Sequence, residues 1–133
     1  FNHIVRAFLE GVAYNTRWSM GYVEKFIGRK MDPLNIIGGG ARLNIWCQIF
    51  ADVLGREIRQ VKDPLQANAR GAAFIASVAL GEISFDEVAD LVQYSRTYYP
   101  SQVNARVYDK LFREFKNIYR NNRSMFARLN RNR

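Results

Sequence analysis

The sequence predicts an α/β chain that is rich in helix and carries only a small remnant of a sheet. Three observations lead there. Both ends repeat apolar residues at helical spacing: Phe1, Ile4, Val5, Phe8, Leu9 and Val12 in one stretch, Val107, Tyr108, Leu111, Phe112, Phe115, Ile118 and Tyr119 in the other. Between them only residues 34–37 and 57–61 read as strands. The first of these runs through Gly38, Gly39, Gly40, Ala41 and Arg42 straight into an amphipathic helix.

The opening helix is expected over residues 1 to about 28, since Met20, Val23, Phe26 and Ile27 continue its apolar stripe. It holds Gly11 and Gly21, each costing about 1 kcal/mol relative to alanine, which points to close packing against another backbone. Asp32-Pro33 turns the chain into the first strand. The helix at 43–54 stops at Gly55, a left-handed cap. Residues 57–61 alternate polar and apolar, as an exposed edge strand would. Asp63-Pro64 turns the chain again, and the alanine-rich helix at 67–80 ends at Gly81, its small side chains suiting close helix-on-sheet packing. Ser84 opens a short helix, and Glu87 completes a capping box. Tyr98-Tyr99-Pro100-Ser101 reads as a loop, and the last helix carries a core stripe rather than a base-stacking platform. Two strands do not complete a parallel sheet. The chain also lacks an initiating Met and begins in a helical pattern, so it is expected to be a fragment whose other strands lie upstream or in a partner chain.

Composition narrows the function. At 133 residues, 48% of them apolar and 14% aromatic, there is material for one domain with a real core, which excludes disorder. No apolar run approaches the roughly 20 residues of a membrane span, and the first residues do not form a signal peptide. One cysteine, Cys47, and one histidine, His3, exclude an intrachain disulfide and a His/Cys metal site. A cytoplasmic location fits, with Cys47 an inert packed thiol. The net charge of +8 gathers near the end, where Arg113, Lys116, Arg120, Arg123, Arg128, Arg131 and Arg133 face only Glu114. That stretch reads as a solvated helix face with a frayed basic tail over 120–133; the alternative is a small basic helical module that binds nucleic acid through these arginines.

The glycines carry the chemistry. Without side chains they let a flat ligand approach the main chain, and the helix that follows offers free N–H groups. A tight strand-to-helix connection would use the same residues. The turn is not a Walker loop, because no Gly-Lys-Ser/Thr follows, and it lacks the Gly-x-Gly-x-x-Gly spacing of a dinucleotide fold.

The run Gly38-Gly39-Gly40-Ala41-Arg42, then Trp46, Gln48 and Ala51-Asp52-Val53-Leu54-Gly55, resembles the C-terminal half of the FGGY carbohydrate kinases, the xylulokinase-like branch most of all. Asn68-Ala69-Arg70-Gly71-Ala72-Ala73-Phe74-Ile75-Ala76 is similar to the family's small-residue helix, and His3 to Ala13 to the end of its second signature, where Phe8 replaces a usually smaller residue. The resemblance implies a partial ribonuclease-H-like domain of the actin-like ATPase class. It implies transfer of the ATP γ-phosphoryl group, with Mg²⁺, to a sugar or polyol hydroxyl in a cleft between two halves. It places Gly38, Gly39, Gly40 and Ala41 in the adenosine pocket and Asn44 beside the adenine, where an amide can both donate and accept; Asn44 also reads as a residue that serves its own helix N-terminus. The catalytic aspartate and most sugar contacts would lie in the absent N-terminal half, so these residues alone are expected to be inactive, with Mg²⁺ held mainly by the phosphates and by groups elsewhere. Arg42 is a candidate phosphate partner that also reads as a surface arginine. Asp52 and Asp63 read as structural, and His3 has no catalytic task. The expected partners are ATP or ADP, the N-terminal half and the sugar substrate; a homodimer stays open. A scaffold that kept the fold and lost its ligand is the third reading.

Overall fold

A computed structural model describes residues 2–131; Phe1, Asn132 and Arg133, which include the first apolar position and the end of the basic tail, lie outside the described residues. The fold is built around α2 (Asn44–Leu54), because this helix is apolar on two faces. On one face Ile49, Val53 and Leu54 pack with Ala13 and Tyr14 of α1 (Asn2–Ile27) and Tyr108 of α5 (Gln102–Leu129). On the other, Cys47 and Ala51 pack against Ile58 and Tyr98 of the sheet. Full burial of a side chain such as Ile49 or Val53 contributes about 1.5–3 kcal/mol, so α2 anchors both layers. Gly55 ends it with φ 64° and ψ 39°, its N–H donating to Ala51 O at 2.9 Å, as the sequence predicts.

The sheet has three strands in the order β1 (Leu34–Ile36), β2 (Ile58–Val61), β3 (Tyr94–Tyr98). β1 and β2 are parallel, with Leu34 opposite Ile58 and α2 as the crossover. β3 runs antiparallel to β2, with Ile58 opposite Tyr98. Two expectations are corrected. The chain holds a third strand, ending at Tyr98, so the expected loop starts only at Tyr99. And β2 is the central strand, not an exposed edge: Ile58, Gln60 and Val61 are all buried. Polar Gln60 can be buried because its amide finds partners inside, so polarity alternation here does not report exposure.

α3 (Ala67–Ala79) and α4 (Phe85–Leu91) bury no residue. The expected close packing of α3 on the sheet, and of Gly11 and Gly21 on another backbone, is not made within this chain: a Cβ added at Gly11, Gly21 or Gly71 would meet nothing within 4 Å. The small side chains permit a close approach that no element among the described residues makes. α4 does begin as expected, the Glu87 carboxylate accepting the Ser84 N–H at 2.7 Å and its O–H at 2.8 Å. These bonds hold the Glu87 carboxyl below its ordinary pKa. Residues 120–129, expected in a frayed tail, continue α5 as regular helix.

Arg56 joins α1 to the sheet. Its guanidinium donates to Glu24 Oε1 at 2.5 Å and to Met31 O at 2.7 Å. The bond from Arg56, and then the Met31 N–H at 2.8 Å, lower the Glu24 pKa. A depressed carboxylate contributes stability above its unfolded pKa and loses it as pH falls through the folded one. The melting temperature of the wild-type chain should therefore fall more steeply than that of Glu24→Gln on acidification below the ordinary glutamate range. Parallel thermal melts from neutral to acidic pH check this; coincident slopes would remove Glu24 from the acid response.

Candidate nucleotide-binding site

The turn begins where β1 leaves the sheet. Gly38 has φ 84° and ψ −173°, a conformation open to glycine, and its N–H donates to Pro64 O at 2.9 Å. Gly39–Arg42 then form one 3₁₀ turn, and Leu43 leads into α2. Gly40 is required for a different reason. A Cβ there would lie 2.3 Å from Trp46 Cζ3 and 2.8 Å from Cε3. Trp46 is held in place, because its indole N–H donates to Leu9 O at 3.1 Å and its ring packs on Phe50 at 5.6 Å. The N–H groups of Gly39 and Gly40 have no backbone acceptor among the described residues, so they stay available as donors.

Ala41 is fully buried, and its carbonyl fastens the turn. It accepts from Gln60 Nε2 of β2 and from the Cys47 thiol at 3.5 Å. Burial pushes the Cys47 thiol up in pKa, in keeping with an inert packed group. Asn44, exposed at the first turn of α2, accepts through Oδ1 from the Tyr98 hydroxyl at 2.9 Å and from Gln60 Nε2 at 3.4 Å. Both lone pairs of that oxygen are thereby engaged. Its Nδ2 has no partner among the described residues, which leaves Asn44 a donor toward solvent rather than the donor–acceptor pair that the sequence suggests.

Gln60, Tyr98 and Trp46 are thus parts of the site to which sequence reasoning gave no role. Gln60 also receives the Ser95 hydroxyl at 3.1 Å on Oε1, so a row of side chains from β2 and β3 braces the turn from below. A glutamine at an inward position of an alternating strand, opposite a tyrosine-bounded segment, was the available signal.

Arg42 is exposed and opens onto a cleft of about 320 Å³ with Asp63, Pro64, Leu65 and Gln66. Asp63 has φ 48° and shapes that turn. Asp52 is buried and structural: its carboxylate accepts from Ser101 N–H and Asn104 Nδ2, each at 2.8 Å, and fixes the start of α5. His3 lies on the exposed part of α1 beside Ile4, Ala7 and Phe8. Among the described residues no three His, Cys, Asp or Glu gather as a metal site, and no helix is long and apolar enough to cross a membrane.

The model of the FGGY family of carbohydrate kinases, C-terminal domain, matches residues 1–80. A glycerol kinase of Vibrio vulnificus (strain YJ016) is 36% identical over 102 residues, 76% of this chain and 20% of that protein. The xylulose kinase of Bacillus subtilis (strain 168) is 30% identical over 119 residues, 88% of this chain and 23% of that protein. The crystal structure of xylulose kinase from Rhodospirillum rubrum matches with a TM-score of 0.79 at 34% identity, over 94% of this chain and 25% of that one. The chain thus spans about a fifth to a quarter of the length of these relatives. Its small sheet and surrounding helices are part of the actin-like ATPase fold of those sugar kinases. The glycine turn, the crossover helix and the central strand all fall inside the matched segment, and the chain belongs to the FGGY family of carbohydrate kinases, within the C-terminal domain.

Proposed function

We propose that the full-length protein transfers the γ-phosphoryl group of ATP to a hydroxyl of a sugar or polyol, and that this chain supplies the adenosine-binding part. The observation that carries the reading is the pair of Gly39 and Gly40 N–H groups, which have no backbone acceptor among the described residues, on a turn whose shape Trp46 fixes from behind Gly40. A flat base can lie on Gly38, Gly39 and Gly40, with Ala41 holding the turn from behind and the Asn44 Nδ2 donating to a ring-nitrogen acceptor of the adenine. Phosphoryl transfer depends mainly on positioning and charge stabilisation, so these residues contribute by binding and orienting. ATP brings the phosphoryl group, and Mg²⁺ would be carried by its phosphates and by groups beyond this chain, as would the general base. A xylulose-like substrate is favoured by the xylulose kinases among the relatives, and the isolated chain should be inactive. We assign the protein to the cytoplasm, in keeping with the free thiol of Cys47.

Asn44→Asp tests the assignment. It keeps an oxygen for Tyr98 and removes the donor. Affinity for ADP–Mg²⁺ should fall about three- to tenfold by calorimetry, the worth of one hydrogen bond. Unchanged affinity would take Asn44 out of the adenine site. In the full-length enzyme, ATP-dependent phosphorylation assayed across xylulose, gluconate and glycerol should show turnover with at least one, and the variant should raise KM for ATP more than it lowers kcat. No turnover with any sugar or polyol would overturn the reading.

A further inference from the structure

We propose that the groove between the second half of α1 and the middle of α5 is a second ligand site, separate from the glycine turn, for a phosphate-bearing molecule with a flat ring and the size of a mononucleotide. The groove is open to solvent and has a volume of about 340 Å³. From α1 it is lined by Arg17, Trp18, Tyr22 and Lys25, which fall on one helical face. From α5 it is lined by Phe112, Lys116 and Arg120, spaced four apart on the facing side. Gly21 lies in its wall, and a Cβ there would meet nothing within 4 Å, so the missing side chain leaves open volume.

The charge of the groove is unbalanced. Arg17 is paired with Asp109 at 2.6 Å, but Lys25, Lys116 and Arg120 enter no ion pair among the described residues. Arg17 and Lys116 each lie against the Phe112 ring, at 4.5 and 4.8 Å from its centroid, so a ring of the lining is bordered by cations. The three unpaired cations of one lining, Lys25, Lys116 and Arg120, favour an anion. The aromatic lining favours a ring on that anion. Trp18 is fixed by edge contacts with Phe115 and Tyr119, at 6.4 and 5.2 Å, while the Tyr22 ring is 66% exposed and free to cover a ligand. Helices wall the groove on two sides and its volume suits one nucleotide unit, which favours a small ligand over a nucleic-acid strand. Arg113, Arg123 and Arg128, also on α5, lie outside the lining.

The two tryptophans report the two sites separately: Trp18 lines the groove and Trp46 underlies the glycine turn. The 133-residue chain is titrated with AMP while the indole N–H resonances, assigned through Trp18→Phe, are followed by NMR; adenosine, inorganic phosphate and a short single-stranded oligonucleotide are the comparison probes. AMP should move the Trp18 indole saturably, with adenosine and phosphate each at least about tenfold weaker, since each lacks half of the recognised chemistry. Lys116→Glu with Arg120→Glu should abolish that shift and leave the Trp46 response to ADP–Mg²⁺ intact. Gly21→Leu, whose Cβ meets nothing within 4 Å and whose side chain would occupy the groove, should block it as well. A Trp18 indole unmoved by AMP, or a shift that survives both variants, would overturn the proposal. An oligonucleotide that shifts Trp18 where AMP does not would replace it with a nucleic-acid face.

Discussion

Gly40→Ala should destabilise the chain by about 1–3 kcal/mol, the usual cost of forcing extra volume into a packed site, and should abolish ADP binding at the turn. The methyl has nowhere to go. It would sit 2.3 Å from the Trp46 ring, which is pinned by its bond to Leu9 O and by Phe50. Relief must come from moving the turn itself, which carries the Gly39 and Gly40 donors and the Ala41 carbonyl. Urea unfolding measures the stability loss. A Trp46→Leu background identifies its cause: there the same alanine should cost about half as much or less, because the two positions are in contact. Equal cost in both backgrounds would mean that the clash is not with Trp46.

Asp52→Ala should cost about 3 kcal/mol, because hydrogen bonds to a charged group are worth roughly 1.5–3 kcal/mol and the groups left behind are poorly solvated. Asp52 is 4% exposed, and its oxygens accept from Ser101 N–H and Asn104 Nδ2 at 2.8 Å and from Gln48 Nε2 at 2.9 Å. Gln48 donates in turn to Tyr99 O at 2.9 Å, so one carboxylate ties α2 to the end of β3 and the start of α5. Asp52→Asn keeps an acceptor oxygen and should lose less. Urea midpoints for the two variants check the order, and a neutral alanine would show that Asp52 is no junction.

Much of this architecture was legible because it is written in local chemistry. Gly55 had to be a left-handed cap, Ser84 and Glu87 had to meet, and the apolar spacing at both ends had to make helices. β3 was missed because Tyr94–Tyr98 is polar and mostly exposed, with only Tyr98 buried; its place comes from pairing with β2, a partner about 35 residues away, as between Ser95 and Gln60. β2 was misplaced at an edge because Gln60 looks like a solvent-facing residue, while its partners Ala41, Asn44 and Ser95 come from three other segments. The small-residue faces of α1 and α3 were read as close-packing faces, but among the described residues nothing packs closely on Gly11, Gly21 or Gly71, because a face says nothing about what fills it. Within the proposed site, the glycines and Asn44 were nominated by motif. The support from Gln60, Tyr98 and Trp46 is tertiary, and so is the correction that Asn44 has only its donor free.

The measurement that tests the central claim most directly is an amide-resolved NMR titration of this chain with ADP–Mg²⁺. The adenosine assignment predicts saturable shifts confined to residues 38–44 and the Trp46 indole. Saturable shifts elsewhere that leave the Gly38, Gly39, Gly40 and Asn44 amides unmoved, or no shifts at millimolar ADP, would contradict it.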